Sequence, residues 1–206
     1  MTRINELLLK MEELQAELEV ELRARRDDLE YTLKERKVRF TREVRQRQRE
    51  FLKKWLNYVY DSGPLIILTI PVIWGALLPC IVLDVMVTIY QFVCFPIYGI
   101  PFARRREYVV IDRQNLSYLN WIEKANCMYC GYFNGVLAYV REVAARTEQY
   151  WCPVRHAKPV KSVHPHYRRF FEYGDARGYR EGLEPARKEL AEKLRRELLE
   201  EHSRRS

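Results

Sequence analysis

Apolar and polar positions divide the chain into three stretches. Residues 3–58 contain no glycine and no proline, and their apolar residues fall on a helical stripe. Leu7, Leu18, Leu29, Phe40 and Phe51 stand eleven apart, as do Met11, Leu22, Leu33, Val44 and Trp55. An eleven-residue period is about 3.67 residues per turn, which predicts a straight or slightly right-handed helical assembly. A single helix over this stretch would measure about 84 Å. From Pro64 to Ala103 the pattern vanishes into forty residues with one charge, Asp84. Beyond Arg106 the helical period returns. Asp112 is the expected N-cap of a helix reaching about Ala125, carrying Leu119, Trp121 and Ile122. A second helix is expected over 134–150 with Val136, Val140, Val143 and Thr147 on its buried face, and a last one over 184–202 with Leu190, Leu194 and Leu198 on one side. Pro185 suits that helix's first position.

The fold class expected is therefore mainly α, in four parts. Residues 1–60 form a helical arm with an eleven-residue repeat, 61–106 a membrane hairpin, 107–160 a small Cys/His helical domain, and 161–206 a linker and C-terminal helix. No soluble core helix is forty residues long and apolar all round, and one bilayer crossing takes about 20 residues. Three arrangements fit: a tight two-pass hairpin turning near Pro79 and Asp84, a re-entrant hairpin, or one crossing with an interfacial arm. A hairpin puts Asp84 at its tip, in or near water; in mid-bilayer a carboxylate is expensive and a functional suspect. Basic residues flank the run on both sides, with Arg45, Arg47, Arg49, Lys53 and Lys54 before it and Arg104, Arg105 and Arg106 after it. That both flanks are basic predicts both termini on the cytoplasmic side. The first fifteen residues carry too many charges for the apolar core of a signal peptide.

Charge narrows the partners. The chain has 36 basic and 28 acidic residues, a net charge of +8, which favours an anionic partner. Arg25, Arg36 and Arg47 continue a third eleven-residue phase beside the apolar stripe. They suit either stems packing along a self-associating seam, formed by Leu18, Leu22, Leu29, Leu33, Phe40, Val44, Phe51 and Trp55, or side chains reaching lipid phosphates. The narrow stripe favours a coiled-coil-like homo-oligomer. Acidic residues interleave with the basic ones and the arm leads into the membrane, so no nucleic acid is expected.

Five cysteines add candidate chemistry. Cys80 and Cys94 lie in the apolar run and read as small hydrophobes. Cys127, Cys130, Cys152 and His156 form a CxxC followed by a CxxxH, the ligand types and spacings of structural zinc. Cys127 and Cys130 are expected on a turn that Gly131 opens to a sulfur. Cys152 is expected at an N-cap, with a helical turn behind Pro153 bringing His156 back. One objection stands against a single site: a helix between the two turns holds them apart. Two other readings remain, buried structural cysteines and a redox site of iron or iron–sulfur helped by Glu123 and Glu148, four residues before Cys127 and Cys152. Tyr129, Tyr132, Tyr139, Tyr150 and Trp151 suit a cofactor pocket, a core or an interfacial belt. His164 and His166 are expected in an exposed linker, with Asp175 as a turn former.

The segments "IDRQNLSYLNWIEKANCMYCGYFNG" and "REVAARTEQYWCPVRHA", with the apolar run before them, resemble a family of small bacterial membrane proteins sharing a CxYCGYxNG…YWCPxxHA block over roughly residues 64–160. The resemblance implies an inner-membrane protein with a cytoplasmic Cys/His domain and implies no activity. The leading expectation is a membrane-anchored oligomeric scaffold with a zinc staple. The alternatives are a membrane-bound redox or metalloenzyme using iron, and an anionic-lipid binder acting through the arm.

Overall fold

A computed structural model describes residues 3–28, 31–34 and 37–203. The protein is mainly helical. Its elements are α1 (Arg3–Asp28), a ribbon of β1 (Tyr31–Lys34) and β2 (Lys37–Phe40), α2 (Arg42–Arg49), α3 (Trp55–Gly75), α4 (Leu77–Tyr98), α5 (Arg105–Tyr108), α6 (Trp121–Trp151) and α7 (Ala176–Ser203). Short 3₁₀ turns lie at Arg113–Asn115 and Pro165–Arg169.

The single long arm gives way to shorter pieces. β1 and β2 pair antiparallel, with Tyr31 opposite Phe40 and Leu33 opposite Val38. Tyr31, Thr32, Val38 and Phe40 are strand formers, and four such residues in ten outweigh a helical repeat built on every fourth and seventh position. Thr41 then starts α2, its hydroxyl accepting the Val44 N–H at 3.4 Å. The expected seam is thereby dispersed. Leu18 and Leu22 are exposed on α1, Leu33 and Phe40 lie on the ribbon, Val44 is buried under α2, and Phe51 is 78% exposed in the turn that follows. Trp55 opens α3; Leu29 lies outside the described residues.

The apolar run forms α3 and α4, with Ala76 alone between them in a right-handed helical conformation. Leu65–Tyr98 is one helix of 34 residues long and apolar enough to cross a membrane, with mean hydropathy 2.5. No reversal occurs at Pro79 or Asp84, which both lie inside α4. Pro79 stands in its first turn, where the missing N–H has no helical acceptor to lose. α3 is itself jointed: Gly63, at φ 75°, interrupts it with backbone that only glycine adopts without strain. α4 ends in a paired glycine cap. The Gly99 N–H (φ 68°) reaches Pro96 O at 3.3 Å and the Ile100 N–H reaches Phe95 O at 3.0 Å.

The chain forms two compact units, whose boundaries fall inside α4 and α6. The first comprises residues 1–80 and 109–135. In it the start of α6 packs on α3: the Tyr129 hydroxyl donates to Ile73 O at 2.8 Å, and its ring lies 5.3 Å from that of Trp74. Gly131 faces the backbone here rather than a sulfur, since a Cβ would stand 3.3 Å from Val110 O. The Ser117 N–H donates to Gln48 of α2 at 3.2 Å.

The second unit comprises residues 81–108 and 136–206. Its core joins Phe95, Ile100, Ala103, Tyr139, Val143 and Leu190. Val136 and Val143 are buried on α6 as their spacing predicts. After α6 the chain is extended, not helical: the Arg155 N–H bonds Phe171 O at 2.8 Å and the Phe171 N–H bonds Pro153 O at 2.7 Å. Pro153 therefore sits in a bridge between segments, and Cys152 caps no helix. α7 begins earlier than expected because Asp175 caps it, accepting the Gly178 N–H at 2.8 Å. Gly182 is required by contact, since a Cβ there would meet the Phe171 ring at 2.6 Å.

Candidate functional site

The second unit's part of α4 has two faces of opposite character. Asp84, Gln91 and Phe95 are buried on one, at 6%, 6% and 0% exposure. Ile81, Val82, Val85, Met86, Ile89, Phe92, Val93 and Ile97 are exposed on the other. Asp84 and Gln91 point inward with Phe95, while the outward face is apolar apart from Thr88, the reverse of a helix facing water.

Each inward polar group has its partner. Asp84 takes a two-pronged ion pair from Arg105, with Nε to Oδ1 at 2.8 Å and Nη2 to Oδ2 at 2.6 Å. The bidentate geometry is the strong form of this pair. Gln91 accepts the Ala103 N–H at 2.7 Å and donates to Ala103 O at 3.3 Å and to the Tyr139 hydroxyl at 3.1 Å. It thus fixes the loop after α4 against α6. Tyr90 and Thr147 pair through their hydroxyls at 3.1 Å. Asp84 is accordingly no hairpin tip in water; it is a buried carboxylate paired with Arg105.

A second polar cluster braces α6 against the strap at 164–171. Arg146 donates to Glu142 at 2.7 Å and to Pro101 O at 2.8 Å. His166 lies between Gln149 Oε1, 2.6 Å from Nδ1, and Glu142 Oε1, 3.3 Å from Nε2. His164 Nε2 lies 3.1 Å from Glu148 Oε2. Arg155 pairs with Glu172 and donates to Arg168 O at 2.7 Å. Burial alone raises the Glu142 carboxyl, but the His166 hydrogen bond and the Arg146 charge outweigh it and hold it at about 2. Burial, then the Glu142 charge, push the Tyr108 hydroxyl up to about 12. Burial draws His164 below its ordinary 6.5, against the pull of Glu148. A carboxylate held ionised this firmly is a poor proton donor, and the cluster works as a brace. The histidines expected in an exposed linker are half-buried parts of it.

The predicted metal ligands do not assemble. Cys127 and Cys130 lie within α6, not on a turn, because a spacing of three also fits one face of a helix. Cys152 follows the last residue of the same helix; the His156 ring stacks on that of Tyr167, 6.2 Å away, and its backbone N–H donates to the Tyr167 hydroxyl at 2.7 Å. Glu123 closes the cap of α6 and Glu148 faces His164, so neither is a spare ligand. Among the described residues no three His, Cys, Asp or Glu side chains come together as a metal site. Of the phosphate-facing arginines, Arg47 is exposed on α2, the Arg25 backbone lies in α1, and Arg36 lies outside the described residues.

Sequence reasoning did not pair Gln91, Arg105, Glu142 and His166 with the partners they find 12 to 48 residues away. The available signal was the isolated polar residue in an apolar run, which Asp84 and Gln91 both display. No protein-family model, no curated protein and no solved structure matches the chain, so the site rests on its own geometry.

Proposed function

We propose that the protein is a membrane-anchored assembly protein, acting by position rather than by catalysis. One observation carries the reading: α4 turns an apolar face outward and keeps its polar groups inward and paired, which is stable in hydrocarbon and costly in water. Basic residues flank the apolar segment at both ends, where they suit the headgroups of a bacterial inner membrane. Its 34 residues measure about 51 Å against roughly 30 Å of hydrocarbon, which suits one oblique crossing.

The assembly part of the reading rests on α1. Leu7, Met11, Leu14, Leu18 and Leu22 recur at spacings of four, three, four and four, and each is at least 50% exposed. Such a stripe fits a helical partner, and a second copy of α1 supplies one of matching period.

Spin labels placed singly at Leu68, Met86 and Leu18 test both parts on the full chain in vesicles. The expected result is that labels at 68 and 86 meet oxygen but not a water-soluble nickel complex, and that labels at 18 couple between copies. A label at 86 open to the nickel complex would end the membrane reading; an uncoupled label at 18 would end the assembly reading alone.

A further inference from the structure

The start of α6 carries a feature that anchoring does not use. Asn120 and Glu123 cap the helix reciprocally: the Glu123 N–H donates to Asn120 Oδ1 at 3.0 Å, and the Asn120 N–H donates to Glu123 Oε2 at 2.8 Å. The Asn120 side-chain Nδ2 has no hydrogen-bond partner, although the residue is only 7% exposed. A buried donor without an acceptor is costly, and native structures seldom leave one idle.

Asn120 lines a cleft of about 670 Å³ whose other walls include Arg49, Lys53, Lys54 and Lys124. Four cations, an amide donor lacking an acceptor and the N-terminus of a 31-residue helix thus converge on one space. Each favours an anion with several acceptor oxygens, and the helix end adds its dipole. Among the described residues no carboxylate lines the cleft to oppose one.

Trp121 lines this cleft and also a second one, of about 470 Å³, between α3 and the start of α6. The second is apolar, walled by Ile66, Ile70, Trp74 and Tyr129. A soluble anion has no use for such a groove, whereas an acyl chain does. We infer that the two clefts, which share Trp121 as a wall, bind one anionic phospholipid, its phosphodiester among the basic side chains and an acyl chain along α3. Lys54 directly precedes α3, so the basic cleft stands at the polar end of the apolar segment, where juxtamembrane cations meet headgroups. Tryptophan at the junction suits the interface between the two. The inference rests on the membrane reading above.

The test uses the full chain. Entry into vesicles of phosphatidylcholine alone is measured first, then the lipid retained after extraction from mixed phosphatidylcholine and phosphatidylglycerol vesicles is identified by mass spectrometry. The wild-type chain is expected to retain phosphatidylglycerol preferentially. Asn120→Asp keeps a competent N-cap and replaces the donor by a negative charge, so retention should drop about tenfold. Lys54→Glu with Lys124→Glu, which leaves the cap untouched, should do the same. Entry without lipid preference, or preference unchanged in both variants, overturns this inference and leaves the anchor standing. Failure to enter neutral vesicles overturns the anchor and the lipid site together. Displacement of the lipid by glycerol phosphate as readily as by phosphatidylglycerol would make a soluble phosphate the occupant and overturn the assignment to lipid.

Discussion

α3 and α4 are equally apolar in sequence and organised differently. From Leu65 to Ile73 the exposed residues of α3 follow one another around the whole helix. α4 exposes one side and buries Asp84, Gln91 and Phe95 on the other. An apolar run therefore specifies the medium a helix sits in, and its few polar residues specify which side meets protein. α3, without such residues over this stretch, has no side fixed that way.

The sharpest way to break this comparison uses two phenylalanines three residues apart. Phe95 is 0% exposed and Phe92 is 74% exposed. Phe95→Ala should cost about 3–5 kcal/mol of stability in detergent. Phe92→Ala, like Val72→Ala on α3, should stay within about 0.5 kcal/mol. Denaturant titration in micelles reads both, and equal costs would erase the two faces. Next come the halves of the ion pair. Arg105→Ala removes the bidentate partner of a buried carboxylate and should cost about 2–3 kcal/mol, discounted from the range for fully buried pairs because the Arg105 side chain is 42% exposed. Asp84→Ala leaves an arginine that water can reach, and should cost about 1 kcal/mol. The reverse order would mean that Asp84 is hydrated.

Gln91→Leu is smaller and still specific. It removes the acceptor of the Ala103 N–H, and should lower stability by about 1–2 kcal/mol while loosening proteolytic protection of the loop after α4. The smallest effects are pH-dependent and concern the brace on α6. Glu142 has a depressed carboxyl, so its stabilisation is full above its ordinary 4.5 and is lost as pH falls toward about 2. His164 is depressed as well, but as a base: the unfolded chain takes its proton first, so stability declines as pH falls below 6.5. Thermal midpoints against pH should flatten in the acid window for Glu142→Gln and just below 6.5 for His164→Gln. Unchanged profiles would remove these groups from the brace.

The long apolar helix was legible because forty residues with one charge admit few environments. So was the buried face of α6, since Val136 and Val143 keep a helical period. The ribbon at 31–40 escaped notice because an eleven-residue repeat counts apolar positions and ignores that Tyr31, Thr32, Val38 and Phe40 prefer extended backbone. The turn expected at Cys127 and Cys130 was misread because a spacing of three describes ligand turns and helix faces alike; both residues lie within α6. Asp84 with Arg105, and His166 with Glu142, could not be paired in advance: each is joined across 21 or 24 residues by folding, not by local pattern.

On the membrane reading proposed above, the joint at Gly63 has a consequence for where the protein can reside. A rigid rod of about 51 Å would pass every change of tilt straight to the arm that precedes it. With the helix interrupted at Gly63, the turns before it and the apolar stretch after it take their directions separately. Membranes of different thickness can then re-angle the buried segment while the basic residues ahead of it keep their level at the surface.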